Sequence, residues 1–258
     1  MTELSPDRQT TAPAVRIDAV SKVFGQRGGQ VVALDGISLT ARPGEFVCLV
    51  GASGCGKSTL LSLVAGLDSP TAGTIDTGGA RAALMFQEPG LMPWLTVASN
   101  VELPLRLSGV GRTERRDRAR ELLETVHLAD FAARRPHELS GGMRQRVALA
   151  RVLAANAPVL LMDEPFGALD AMTRDVLHDE IERIWSERQL TVLFVTHNVR
   201  EAARLGDRIV LLSSRPGRVV DEFAVDIPRP RRIDSPEVSK LASVVTDRLR
   251  EEVRRHGR

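Results

Sequence analysis

The sequence predicts an α/β fold in which a largely parallel sheet is buried by helices on both faces. Short, unbroken apolar runs carry this reading: "EFVCLVG", "RAALMFQ", "PVLLMDEP", "LTVLFVTHN" and "RIVLLSS" alternate with longer stretches of helical pattern. Strands that are apolar on both sides belong to parallel sheets covered on both faces. A second feature agrees: "EFVCLVG" ends in glycine and passes through a glycine-rich turn straight into the helical "KSTLLSLVAGL".

Taken in order, residues 1–14, "MTELSPDRQTTAPA", are polar and read as a disordered lead-in without the apolar core of a secretory signal. The β-type runs "VRIDAVSKVF" and "ALDGISLTA" follow, ahead of the glycine-rich turn. From about residue 88 to residue 157 the strand–helix rhythm stops and the chain reads as mostly helical. Within that stretch Thr113 is expected to cap "ERRDRARELLETVHL", with Leu122, Leu123 and Val126 as an apolar stripe and the arginines on a solvated face. After Asp226 the composition shifts to "IPRPRRIDSPEV" and then to an amphipathic, charged helix, so residues 226–258 read as a C-terminal tail.

Composition narrows the class. A chain of 258 residues, 43% of them apolar, can bury the core of one large or two small domains. The formal net charge of +2 does not argue for nucleic acid. Lysine occurs only as Lys22, Lys57 and Lys240, the other basic residues being arginine. Cys48 and Cys55 lack metal-ligand spacing and fit a reducing compartment. No run approaches the roughly 18 apolar residues of a membrane span. A soluble, intracellular chain is expected.

The chemistry concentrates in two places. "GASGCGKST", residues 51–59, fits G-x-x-x-x-G-K-[ST] between a strand and a helix. Gly51, Ala52, Ser53, Gly54, Cys55, Gly56, Lys57, Ser58 and Thr59 therefore form a candidate phosphate cradle, in which backbone N–H groups at a helix start face an anion. Lys57 would bring a compact positive charge to the β- and γ-phosphates and Ser58 an oxygen to Mg²⁺. "VLLMDEP" places Asp163 and Glu164 at the C-terminal end of a buried strand, where open α/β sheets bind ligands. Asp163 would hold the metal through water, and Glu164 would act as general base on an attacking water. A second glycine-rich helix start, "LSGGMRQRVALAR", offers another anion site, with Ser140 in N-cap position before Gly141 and Gly142.

With these residues in place, the chain resembles the ATP-binding subunits of ABC transporters, and its motifs follow the family order over nearly all of residues 15–225. Phe24 is similar to the aromatic that stacks on adenine, although tyrosine is commoner there. Gln87 in "MFQEP" resembles the glutamine that reaches Mg²⁺ and the attacking water. "LSGGMRQR" resembles the family signature, "LLMDEP" the acidic strand, "GALD" with Asp170 the loop that follows it, and His197 in "VTHN" the switch histidine. The resemblance implies a P-loop NTPase fold of the ABC type, with a RecA-like mixed sheet core, an antiparallel β subdomain and an inserted helical subdomain. It also implies that two copies pack head to tail, so that Ser140, Gly141, Gly142 and Gln145 of one meet the nucleotide held by the other. His127, His137, His178 and His256 are left as structural or surface residues.

One ATP-binding unit without a membrane span implies a separately encoded permease, with this chain at the cytoplasmic face of the membrane and an extracytoplasmic binding protein as an indirect partner. "FQEPGLMPWLTVASNVELPL" and "RPGRVVDEFAVDIPRPRRIDSPEV" are similar to the subgroup importing nitrate, sulfonates and taurine, apart from the small, polar "ASN" after Val97. Met92, Trp94 and Leu95 are expected to line a groove for the permease, the other reading being that Trp94 fills the helical core. Two alternatives rank lower. A soluble ABC-type ATPase acting on nucleic acid or the ribosome usually carries two ATP units or a long coiled coil. A scaffold that does not hydrolyse ATP would not need both Glu164 and His197.

Overall fold

The computed structural model describes residues 12–25, 29–167 and 169–256. Residues 1–11 of the expected lead-in fall outside them, and so does the side chain of His256. The strands are β1 (Val15–Phe24), β2 (Val31–Ala41), β3 (Phe46–Gly51), β4 (Ala72–Asp76), β5 (Ala82–Met85), β6 (Val159–Asp163), β7 (Thr191–Val195), β8 (Arg208–Leu212) and β9 (Val219–Ala224). The helices are α1 (Lys57–Val64), α2 (Val97–Leu107), α3 (Arg112–Thr125), α4 (Gly141–Ala154), α5 (Ala171–Arg188), α6 (Val199–Leu205) and α7 (Pro236–His256).

A six-stranded sheet in the order β5-β6-β7-β3-β8-β9 forms the centre. Its pairs are parallel from β5 to β8, and β9 closes the edge antiparallel to β8. A separate antiparallel sheet has the order β2-β1-β4. Alternate residues of each central strand serve opposite faces, as the two-residue period of a strand requires. Phe46, Cys48 and Val50 of β3, Leu160 and Met162 of β6, and Val192 and Phe194 of β7 share one core with α4, α5, α6 and α7. Val47, Leu49, Leu161, Leu193 and Val195 join the other, with Leu60, Leu61, Leu63 and Val64 of α1. Helices lie on both faces, as expected. The second face is covered by α1 together with the antiparallel sheet, whose residues Val15, Ile17, Leu34, Ile37 and Leu39 point inward.

Between β5 and β6 the described chain is helical, with α2, α3 and α4 packed on one another and two short 3₁₀ turns between α3 and α4. Leu122, Leu123 and Val126 are buried, as the stripe predicts. Thr113 does not cap α3. The helix begins at Arg112 behind Gly111, and the Arg115 N–H donates to the Gly111 carbonyl. Arg115 also turns inward to pair with Glu102 of α2 at 2.9 Å, which draws the first turn onto α2 and leaves Thr113 inside it.

The segment after Asp226 is sewn to the same core. Arg229 stacks on Trp185 at 4.3 Å and pairs with Glu182 and Asp207. Arg231 is buried and donates to the carbonyls of Gly206, Val225 and Ile227. Val238, Ala242 and Val245 of α7 then pack into the core beside Ala202 and Leu205. The planar, multi-donor guanidinium makes this seam possible, because one side chain satisfies several carbonyls that would otherwise be buried alone.

The aromatic centre of the first core can be tested. Phe194 is fully buried, with its ring 5.7 Å from that of Phe46 and 5.9 Å from that of Phe166. Phe194→Ala is expected to cost about 3–5 kcal/mol, read as a fall in the urea midpoint of unfolding. An unchanged midpoint would contradict this packing.

Candidate functional site

β3 ends at Gly51 in the middle of the central sheet, between β7 and β8, and residues 52–56 turn the chain into α1. Gly56 has φ +102°, and a Cβ there would stand 2.6 Å from Leu34 Cδ2 and 2.8 Å from the Ala33 carbonyl. Only glycine meets both conditions. No side chain caps α1, so its first N–H groups remain available to a ligand. Lys57 is buried and donates through Nζ to the carbonyls of Gly51 and Ala52, both at 2.9 Å. Cys55 is buried too, whereas Ser53, Gly54 and Ser58 are exposed.

A cleft of ≈ 340 Å³ opens over this loop. Ser53, Gly54, Gly56, Lys57, Ser58 and Thr59 line it, together with Phe24, Val31 and Ala33 from the antiparallel sheet, and Gln87, Glu164 and Arg215. Phe24 is 42% exposed and so not a core residue; Lys22 Nζ lies 5.0 Å from its ring.

The two carboxylates stand together at the end of β6, whose last residue is Asp163. Asp163 accepts a hydrogen bond from the Ser58 side chain. Burial, and then the charge of Glu164, hold its pKa above the ordinary aspartate range, while Ser58 and Lys57 pull the other way. Glu164 follows with φ +43°, a left-handed conformation that a residue with a Cβ rarely adopts. Its N–H donates to the Val195 carbonyl at 3.0 Å, and its Oε2 lies 2.9 Å from His197 Nδ1.

Beneath these loops is a buried network that sequence reasoning missed. Thr196 donates through its hydroxyl to Glu201, whose other carboxylate oxygen lies 2.5 Å from His178 Nε2. The His178 ring also meets Phe166 edge-on at 5.5 Å. His178 thus underlies both the loop that carries Glu164 and the loop that carries His197. The available signal was its i, i+3 spacing with Ile181, which gives burial and no partner.

Gln87 lies just beyond β5 and is exposed. The loop that begins with it is held from α4. Gln145 donates to the Gln87 carbonyl at 2.8 Å, and Arg151 donates to the carbonyls of Pro89 and Gly90 at 2.7 Å each. Gln145, expected among the nucleotide contacts, is itself buried and holds this loop.

Ser140, Gly141, Gly142 and Asp170 do not line the cleft. Ser140 caps α4 and accepts the Met143 N–H at 3.2 Å, and Gly141 is exposed with open space around it. Gly142 is buried, and a Cβ there would collide with the Thr173 side chain. Asp170 is exposed and caps α5. The Thr173 N–H and hydroxyl, at 3.0 and 2.7 Å, hold its carboxyl below the ordinary range.

The residues present fit a nucleotide phosphate chain with a divalent cation. Gly51 and Gly56 of the cradle leave no room for a Cβ, and Ser58 and Asp163 are paired hard-oxygen donors. Ser58, Asp163 and Gln87 are the groups that would hold the metal.

The chain is similar to known proteins over most of its length. The family described as ABC transporter matches residues 34–167. The chain is 48% identical over 221 residues to a nitrate import ATP-binding protein of Synechocystis sp., covering 83% of each. It is 44% identical to an aliphatic sulfonates import ATP-binding protein of Mesorhizobium japonicum, covering 93% of this chain and 92% of that one. It is 48% identical to a taurine import ATP-binding protein of Burkholderia pseudomallei, covering 81% and 84%. Among solved structures, the ATP-binding cassette MJ0796 in a dimeric, ADP- and phosphate-bound post-hydrolysis state superposes with a TM-score of 0.73 at 35% identity, over 83% of this chain and 100% of that one.

The raised pKa of Asp163 yields a test of the site by itself. A carboxyl whose folded pKa lies above its unfolded value contributes stability below the unfolded pKa and loses it as pH rises through the folded one. Without metal or nucleotide, Asp163→Asn is therefore expected to unfold at a higher temperature than wild type at neutral pH, with the gap closing on acidification. A gap that widens in acid would contradict the burial of this charge.

Proposed function

The chain belongs to the ABC transporter family, and on that premise we propose that it is the ATP-hydrolysing subunit powering import of one small anion, of the nitrate, aliphatic sulfonate or taurine class, through a separate permease. The observation that carries this reading is a division of the chemistry. The phosphate loop and Glu164 share one cleft, with Asp163 at the strand end bonded to Ser58 of that loop, while Ser140, Gly141 and Asp170 are exposed outside it. A second copy, packed head to tail, would bring the exposed set to the nucleotide in the first.

The chemistry follows from the side chains. The phosphate loop binds the phosphate chain with backbone N–H groups and Lys57, and Phe24 offers its ring face to the base. Mg²⁺, when bound by Ser58, Asp163 and Gln87, offsets charge on the phosphates. Glu164 takes a proton from the water that attacks the γ-phosphorus. The bond to the bridging oxygen breaks, and ADP and inorganic phosphate leave. General-base assistance of this kind supplies about 10²–10⁴ in rate. His197 holds the Glu164 carboxylate through their 2.9 Å contact, and it stands on the loop braced by Thr196, Glu201 and His178.

Coupling to the permease would run through the Gln87 loop and the segment after it. Trp94 is 69% exposed, which removes the reading that it fills the helical core. Met92 and Leu95 are half-buried beside it. Asn100, from the unusual "ASN", is buried and ties this segment down, accepting from the Met92 N–H and donating to the carbonyls of Met92 and Thr96. An exposed aromatic on a braced loop next to a nucleotide-site glutamine suits a transmembrane partner whose position depends on ATP.

Glu164→Gln is expected to retain ATP binding, to lower turnover by about 10²-fold or more, and to accumulate an ATP-bound dimer on size exclusion. Unchanged turnover would remove Glu164 as the base. Trp94→Cys is expected to crosslink to a co-purified permease subunit in membranes; a reactive thiol that forms no crosslink to it would move the docking surface elsewhere.

A further inference from the structure

Between β8 and β9, residues 213–218 form a strap laid against the phosphate loop. The Gly217 N–H donates to the Ala33 carbonyl at 2.9 Å, and the Gly217 carbonyl accepts from the Asp35 N–H at 3.0 Å. The Ser213 hydroxyl donates to the Pro216 carbonyl at 2.7 Å and accepts the Arg218 N–H at 2.9 Å. A Cβ at Gly217 would strike the Cys55 carbonyl, so the strap lies directly on the loop.

Arg215 stands on this strap. Its Nε donates to the Gly54 carbonyl at 3.2 Å, and its side chain lines the same cleft as Lys57, Ser58 and Phe24. Neighbouring arginines are neutralised: Arg218 pairs with Asp35, Arg208 with Glu45 and Glu222, and Arg229 with Glu182 and Asp207. Among the described residues no carboxylate lies within ion-pair distance of Arg215. A guanidinium has five N–H donors in a rigid fork, and one of them is engaged here. Lys57, the other cation of the cleft, already donates to two loop carbonyls.

We infer that Arg215 is a nucleotide-binding residue, which contacts the phosphate chain in the cleft while its Nε holds the Gly54 peptide of the cradle. The inference rests on the reading of the cleft as the ATP site. An unpaired guanidinium beside an anion cradle has free donors to give to phosphate oxygens, and an arginine–phosphate pair is charge-assisted. The strap then senses nucleotide through one side chain, although it lies outside every motif that identified the site.

Equilibrium titration of the full chain with ATP, ADP and adenosine tests this. Arg215→Ala is expected to bind ATP and ADP about tenfold more weakly, with adenosine affinity and the nucleotide-free melting temperature unchanged. Arg215→Lys should recover part of the loss. If the alanine variant does not fold, Arg215→Gln, which keeps a donor for Gly54 without the charge, carries the same expectation. Wild-type affinity in Arg215→Ala or Arg215→Gln, alongside lost binding in Lys57→Ala, would overturn the inference and leave the cleft intact as the ATP site. Equal losses for adenosine and ATP would overturn it in favour of a purely structural strap. A wild-type chain that binds neither ATP nor ADP would overturn the reading of the cleft, and the assignment of Arg215 with it.

Discussion

The in-register parallel pairing of β3, β6 and β7 is the constraint on which the site depends. Asp163 pairs with Val195 and Leu49 pairs with Val195, so the ends of the three strands lie side by side. The chain leaves each at the same edge, into the phosphate loop after Gly51, into Glu164 after Asp163, and into Thr196 and His197 after Val195. A slip of one residue in any of these pairings would exchange the two faces of that strand. It would push Phe194 or Val195 into the wrong core and separate Asp163 from Ser58. Burial on both faces therefore fixes the distances at the edge.

The strain at this edge has a visible support. Glu164 keeps a positive φ because its N–H is bonded to Val195 and the following loop packs Phe166 into the core against Phe194 and His178. The His178–Glu201–Thr196 chain adds a buried polar layer, and such a layer is rigid where its members are hydrogen-bonded. Polar and aromatic contacts thus hold the two loops whose side chains meet as Glu164 and His197.

A second set of contacts links parts of the chain that have different tasks. α4 presents Ser140 and Gly141 to solvent at its start, while further along its length Gln145 and Arg151 hold three main-chain carbonyls of the Gln87 loop. The exposed helix start and the loop between Gln87 and Trp94 are therefore fastened to one rigid element. A displacement of α4 would be felt by both, because the link is made of direct hydrogen bonds and a helix transmits movement along its axis with little loss.

Periodicity and motif were enough to determine the alternation of buried strands and helices, the phosphate loop at residues 51–59, the acidic strand end at Asp163 and Glu164, and the apolar stripe of α3. These are local properties: a helix or strand records burial in its spacing, and a phosphate loop needs its glycines close together in sequence. The capping of α3 by Gly111, the inward turn of Gln145 and the packing of α7 into the main core were decided by tertiary structure. So were the positions of His178 and Arg215. In each case the deciding partner is distant along the chain: Glu102 for Arg115, Gln87 for Gln145, Glu201 for His178 and Gly54 for Arg215. A hydrogen bond between distant residues leaves no period in the sequence, and an arginine in a loop reads the same whether it faces water or a phosphate site. Only the fold brings these groups within reach of one another.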